Sequence, residues 1–131
     1  MKKEIRTESA PLPIGPYSQG IVCPAGELVF TAGQIALSPG ESELCSENVA
    51  DQAKRALENV RAILSGSGCG LEDVVKVTIF IRDMDDYLQV NQVYENYFAS
   101  PPFPARSVVE VSKLPKDARI EIEAVAVKSN R

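Results

Sequence analysis

Arg106 follows Phe103-Pro104-Ala105 and opens a run rich in β-branched residues. A guanidinium held there can grip a carboxylate through two parallel charge-assisted hydrogen bonds. Further on, Arg119-Ile120-Glu121-Ile122-Glu123-Ala124 alternates like a strand and puts Glu121 and Glu123 on one face. A partly buried glutamate in that setting can position or deprotonate water. Upstream, Ile14-Gly15-Pro16-Tyr17-Ser18-Gln19-Gly20 has the composition of a fixed loop from which Tyr17 presents a phenol. Gly33, in Thr31-Ala32-Gly33-Gln34, stands at a strand end, where a missing side chain lets a ligand approach the backbone. Asn91, in Val90-Asn91-Gln92, offers an amide from a helix. Each also has a plain structural reading: an edge arginine paired with a surface acid, a solvated sheet face, a turn, a bulge, a solvated helix residue. Taken singly, none specifies a reaction.

The chemistry open to these residues is narrowed by what the chain lacks. It has 131 residues and no histidine, which removes Ser-His-Asp and Cys-His designs and the usual general base near neutral pH. Cys23, Cys45 and Cys69 are odd in number and form no CxxC pair. We therefore expect free thiols, and neither a disulfide scaffold nor a metal site. The net charge of −4, with lysines and arginines scattered, argues against a nucleic-acid binder but leaves room for a small anion. No apolar run is long enough to span a bilayer, and the charged start Met1-Lys2-Lys3-Glu4 does not resemble a secretory signal, so the expected compartment is the cytoplasm.

One α+β domain over residues 1–131 is expected to position these groups. Gly20–Pro24 and Leu28–Gly33 read as strands around an Ala25-Gly26 turn, and 36–47 as a loop. Val49, Ala53, Ala56, Leu57, Val60, Ile63 and Leu64 form the apolar stripe of a helix. Ser46 or Asn48 can cap its start, and Gly66 can end it in a left-handed conformation. Val74–Arg82 is apolar in both phases of a two-residue repeat and reads as a central strand. A second helix starts at Asp83, Asp85 or Asp86 and carries Tyr87, Val90, Tyr94, Tyr97 and Phe98 on one side, until Pro101, Pro102 and Pro104 forbid its continuation. Ala105–Leu114 and Arg119–Val127 are strands joined by a bend at Leu114-Pro115-Lys116-Asp117. Two helices cover one face of a sheet of about five strands, so another subunit is the natural cover for the other.

In order along the chain, the segments around Tyr17, Thr31-Ala32-Gly33-Gln34-Ile35, Asn91, Phe103-Pro104-Ala105-Arg106-Ser107-Val108-Val109-Glu110-Val111, Leu114-Pro115-Lys116-Asp117 and Ile120-Glu121-Ile122-Glu123-Ala124 resemble the Rid family of enamine/imine deaminases. The resemblance implies a chorismate-mutase-like fold of the bacillus type, a mixed β-sheet with two helices on one face. It also implies a homotrimer with sites between subunits, no cofactor, and hydrolysis of 2-aminoacrylate and 2-iminopropionate-like 2-imino acids to 2-keto acids and ammonia. By position, Arg106 resembles the family's carboxylate-binding arginine and Glu121 the glutamate that positions water, while Tyr17, Gly33 and Asn91 match pocket positions. Val108 and Ala32 stand where many deaminase members have cysteine and serine. The rival readings are a 2-keto acid binding protein without turnover and, disfavoured by the acidic balance and missing histidine, a ribonuclease.

Overall fold

The structure is a computed structural model and describes residues 2–129. Its main body is a mixed four-stranded sheet with two helices on one face. The strands are β3 (Gly26–Phe30), β4 (Val74–Ile81), β5 (Ala105–Glu110) and β6 (Ile120–Ser129), after a separate ribbon of β1 (Lys3–Ile5) and β2 (Gly20–Val22). The helices are α1 (Val49–Gly66) and α2 (Tyr87–Tyr97). The sheet order is β3-β6-β4-β5, with β4 and β5 parallel and the other pairs antiparallel. A parallel neighbour needs a crossover, and α2 supplies it between β4 and β5.

The period-two pattern explains which sheet face is covered. Val77, Ile79 and Ile81 of β4 lie opposite Ala124, Ile122 and Ile120 of β6, and all six are buried. Against them pack Val49, Ala53, Ala56, Leu57, Val60 and Leu64 of α1, with Val90, Val93 and Tyr94 of α2. A fully buried Val or Leu side chain contributes about 1.5–3 kcal/mol, so this layer supplies much of the drive to fold. Asn48 caps α1, accepting from the Asp51 backbone N–H at 3.1 Å, while Ser46 receives the Asn48 N–H.

Several expectations are corrected. Gly20–Pro24 and Leu28–Gly33 are not neighbours: β2 pairs with the unanticipated β1, leaving four strands in the main sheet rather than about five. The charged Lys3-Glu4-Ile5 carries too little apolar signal to announce a strand. The left-handed glycine after α1 is Gly68 (φ +83°), with Gly66 still helical. Ile63 is 39% exposed and lies off the buried stripe. β5 stops at Glu110, short of Leu114, and β6 begins at Ile120 and runs on to Ser129. Lys116 and Asp117 turn the chain with φ of 57° and 54°, at the expected bend.

The opposite sheet face is open. Phe30 (68% exposed), Leu28 (61%) and Val109 (43%) lie on it beside Phe80, Val125, Glu121 and Glu123. Contiguous exposed apolar residues of this kind mark interaction surfaces or ligand grooves more often than plain monomer surface.

Candidate functional site

Arg106 sits opposite Val77 in the β4–β5 register, so its side chain belongs to the helix-covered face. It is half-buried where α2 passes over the start of β5. Its Nη1 donates to the Asn91 Oδ1 at 2.7 Å and its Nη2 to the Tyr87 hydroxyl at 3.0 Å. Three aromatic rings surround the guanidinium, with Cζ 4.8 Å from the Tyr94 centroid, 5.3 Å from Tyr17 and 5.8 Å from Tyr87. Ring faces attract a cation through their quadrupoles without neutralising it. Among the described residues the ion pairs are Arg6–Glu4, Arg61–Glu58 and Arg119–Asp86, and none involves Arg106. Arg106 does stand on the edge strand, but among the described residues no acid pairs with it, and its hydrogen-bond partners are neutral.

Tyr17 reaches the guanidinium because its loop is tied to the start of β5. The Ser18 N–H donates to the Pro104 carbonyl at 3.1 Å, and the Ser18 hydroxyl donates to the Phe103 carbonyl. The Tyr17 hydroxyl accepts from the Ile14 N–H at 3.3 Å, closing the loop on itself. Asn91, expected at a pocket position, lies against Arg106 and accepts from its guanidinium.

Glu121 and Gly33 form a second group. Gly33 lies just beyond β3, where Gln34 bridges to Ile122 on β6. A Cβ on Gly33 would overlap the Glu121 carboxylate, so the absent side chain is what lets that carboxylate lie over the backbone. Glu121 pairs with Phe80, which places it on the open sheet face. Arg106 and Glu121 thus lie on opposite faces, separated by two strand spacings and by three residues along β4, or on the order of 14 Å between Cα atoms. One copy of the chain brings Tyr17, Asn91 and Arg106 together, and Gly33 and Glu121 together, but not the two groups with each other. A concavity of about 620 Å³ lined by Lys2, Cys23, Val75 and Val127 includes neither group.

Tyr87 and Tyr94 were read from sequence only as helix-face aromatics. Nothing in a single sequence separates a tyrosine that touches an arginine from one that fills a core. Tyr94 is fully buried, stacks on Phe98 at 4.6 Å between centroids, and its hydroxyl has no hydrogen-bond partner among the described residues. Burial holds its pKa well above the usual tyrosine range, with the Arg106 charge pulling it only partly back. Cys23 and Cys45 are exposed and Cys69 is buried in the core. Val108 also packs against the core.

The chain is similar to known proteins along nearly its whole length. Residues 7–128 match the family described as endoribonuclease L-PSP. A RutC family protein of Pyrococcus horikoshii is 51% identical over 128 residues, covering 98% of this chain and 99% of its own length. The 2-iminobutanoate/2-iminopropanoate deaminase of Salmonella typhimurium is 48% identical over 130 residues, covering 98% and 99%. The crystal structure of Escherichia coli TdcF with bound serine superposes with a TM-score of 0.75 at 45% identity, covering 97% of this chain and 99% of that one.

Two predictions follow from the contacts. Gly33→Ala should push the Glu121 carboxylate aside while leaving the fold intact, because what the new Cβ meets is a flexible side chain. Any reaction using Glu121 should slow by about tenfold or more, with thermal unfolding little changed; an unaltered rate would show that Glu121 is not used. The Tyr94 prediction concerns stability. An unfolded phenol ionises near 10, but the folded one holds its proton above that, so stability should fall as pH rises past about 10. Tyr94→Phe should flatten that alkaline decline and, by removing an unpartnered hydroxyl, leave stability at pH 7 equal or higher by about 1 kcal/mol. Urea unfolding at both pH values measures this, and a marked loss at pH 7 would mean that the hydroxyl is satisfied.

Proposed function

We propose that this chain, which belongs to the endoribonuclease L-PSP (Rid) family, hydrolyses 2-imino acids such as 2-iminopropionate to 2-keto acids and ammonia. The observation that carries the reading is the charge of Arg106, which has no ion-pair partner among the described residues: a half-buried guanidinium held by neutral acceptors and ring faces still wants an anion. A 2-imino acid supplies one in its carboxylate. The relative named as a 2-iminobutanoate/2-iminopropanoate deaminase supports the reaction class, and TdcF with bound serine supports a small carboxylate-bearing ligand.

The chemistry needs little more than positioning. The carbon of a protonated imine is already electrophilic, so no covalent nucleophile is required. With the substrate carboxylate on Arg106, water attacks that carbon as Glu121 accepts its proton, giving a carbinolamine. Proton transfer to the amino nitrogen and collapse of the C–O bond to a carbonyl then expel ammonia. The overall change is imine plus water to ketone plus ammonia, with no redox step.

A site using both residues must join two copies, since Arg106 and Glu121 occupy opposite faces of one sheet. A homotrimer with sites between subunits, as the family resemblance implies, would supply this arrangement, and the exposed Leu28, Phe30 and Val109 of the open face support a neighbour there. The ribonuclease suggested by the family's description fits less well. The chain is acidic, with a net charge of −4 and no histidine, whereas polyanion binding draws on clustered cations.

Arg106→Ala should lower kcat/KM for 2-iminopropionate by at least about a hundredfold, because a charge-assisted contact and the orientation it gives are both lost. Arg106→Lys should restore little, as an ammonium offers a point charge in place of a planar fork. Steady-state ammonia release measures both, with light scattering expected to give about three times the 14.2 kDa chain mass for all three proteins. A well-folded alanine variant working near the wild-type rate would remove Arg106 from the mechanism.

A further inference from the structure

Tyr87 opens α2, and Asn91 stands one helical turn further on, so both side chains leave the same face of the helix. Between them they engage both terminal nitrogens of Arg106, Asn91 at Nη1 and Tyr87 at Nη2. We infer that Tyr87 is a positioning residue for carboxylate recognition: its hydroxyl oxygen fixes the rotation of the Arg106 guanidinium so that the remaining N–H groups present a fork to the ligand. This rests on the reading of Arg106 as the carboxylate clamp.

The division of labour among the neighbours supports the assignment. Ring faces at 4.8 Å and 5.3 Å hold the cation in place, but their attraction barely depends on how the guanidinium is turned in its own plane. Hydrogen bonds do depend on it. One bond, to Asn91, would leave the group free to pivot about that contact, and a second at the other terminal nitrogen removes the pivot. Five N–H groups belong to a guanidinium, and these two acceptors engage two of them. Both acceptors are uncharged, so the positive charge is oriented without being cancelled. A carboxylate in either place would orient the group equally well and compete with the ligand.

Tyr87→Phe tests this, since it keeps the ring and deletes only the acceptor. Two readouts are compared with wild type: ¹⁵N-resolved NMR of the Arg106 Nη–H groups, and steady-state kinetics on 2-iminopropionate. The wild type should show slowed rotation, with separate Nη–H signals that broaden or merge in the variant. In parallel, kcat/KM should fall by about five- to tenfold with trimer mass and thermal unfolding unchanged. Unchanged signals, or changed signals with a wild-type kcat/KM, would overturn the role given to Tyr87. A fall in rate with unchanged signals would overturn it too, because the hydroxyl would then act by some route other than holding the guanidinium. A wild type that neither turns over 2-iminopropionate nor binds 2-oxobutyrate would defeat the deaminase reading itself, while the spectra would still report whether Tyr87 fixes Arg106.

Discussion

Everything at this site depends on how one positive charge is held. A half-buried guanidinium loses hydration, and most proteins offset that loss with a carboxylate. Here Arg106 has an amide oxygen, a phenol oxygen and the faces of tyrosine rings. These partners stabilise the cation enough to fold and leave its charge uncancelled. The surrounding elements make sense as means to that end. The prolines that stop α2 let the chain return as β5, and the parallel β4–β5 pairing brings Arg106 under Tyr87, Asn91 and Tyr94. The Tyr17 loop is stitched to the backbone at residues 103 and 104, which lays a further ring on the guanidinium.

A second constraint comes from strand geometry. Side chains alternate across a sheet, so the register that buries Ile120, Ile122 and Ala124 beneath the helices sends Glu121 to the other face. No side-chain rotation within one chain can undo this. The missing side chain of Gly33 leaves room for the Glu121 carboxylate, and on the same open face Glu121 lies opposite Phe80, with Val109 the next strand over and Phe30 and Leu28 further along the sheet. The exposed apolar residues and Glu121 therefore share one sheet face.

Much of this was legible in the residue order. The α1 stripe, the two-sided β4 and the alternation of β6 follow from periodicities of 3.6 and 2, which burial enforces directly. The candidates Tyr17, Gly33, Asn91, Arg106 and Glu121 stood out through a family pattern, and the structure gathers them into two groups. What was not legible depends on pairing between distant segments. The β1–β2 ribbon rests on Lys3-Glu4-Ile5, whose pattern is too short and too polar to signal a strand. The roles of Tyr87 and Tyr94 depend on where α2 crosses β5, and helical spacing alone gives both the same address. That Arg106 and Glu121 face apart was implicit in strand parity, but only the β4 register relates the two strands that carry them.

The central claim, that Arg106 of one copy works with Glu121 of another, is open to a direct measurement. Arg106→Ala and Glu121→Gln proteins, each inactive alone, are unfolded together, refolded as a one-to-one mixture and assayed for ammonia release from 2-iminopropionate. If each site takes its arginine and its glutamate from different copies, random assembly leaves about a quarter of the sites with both native residues, and activity should return to about that fraction of wild type. A mixture of well-folded, mixed oligomers that stays inactive would contradict the account, because both residues would then have to come from the same chain.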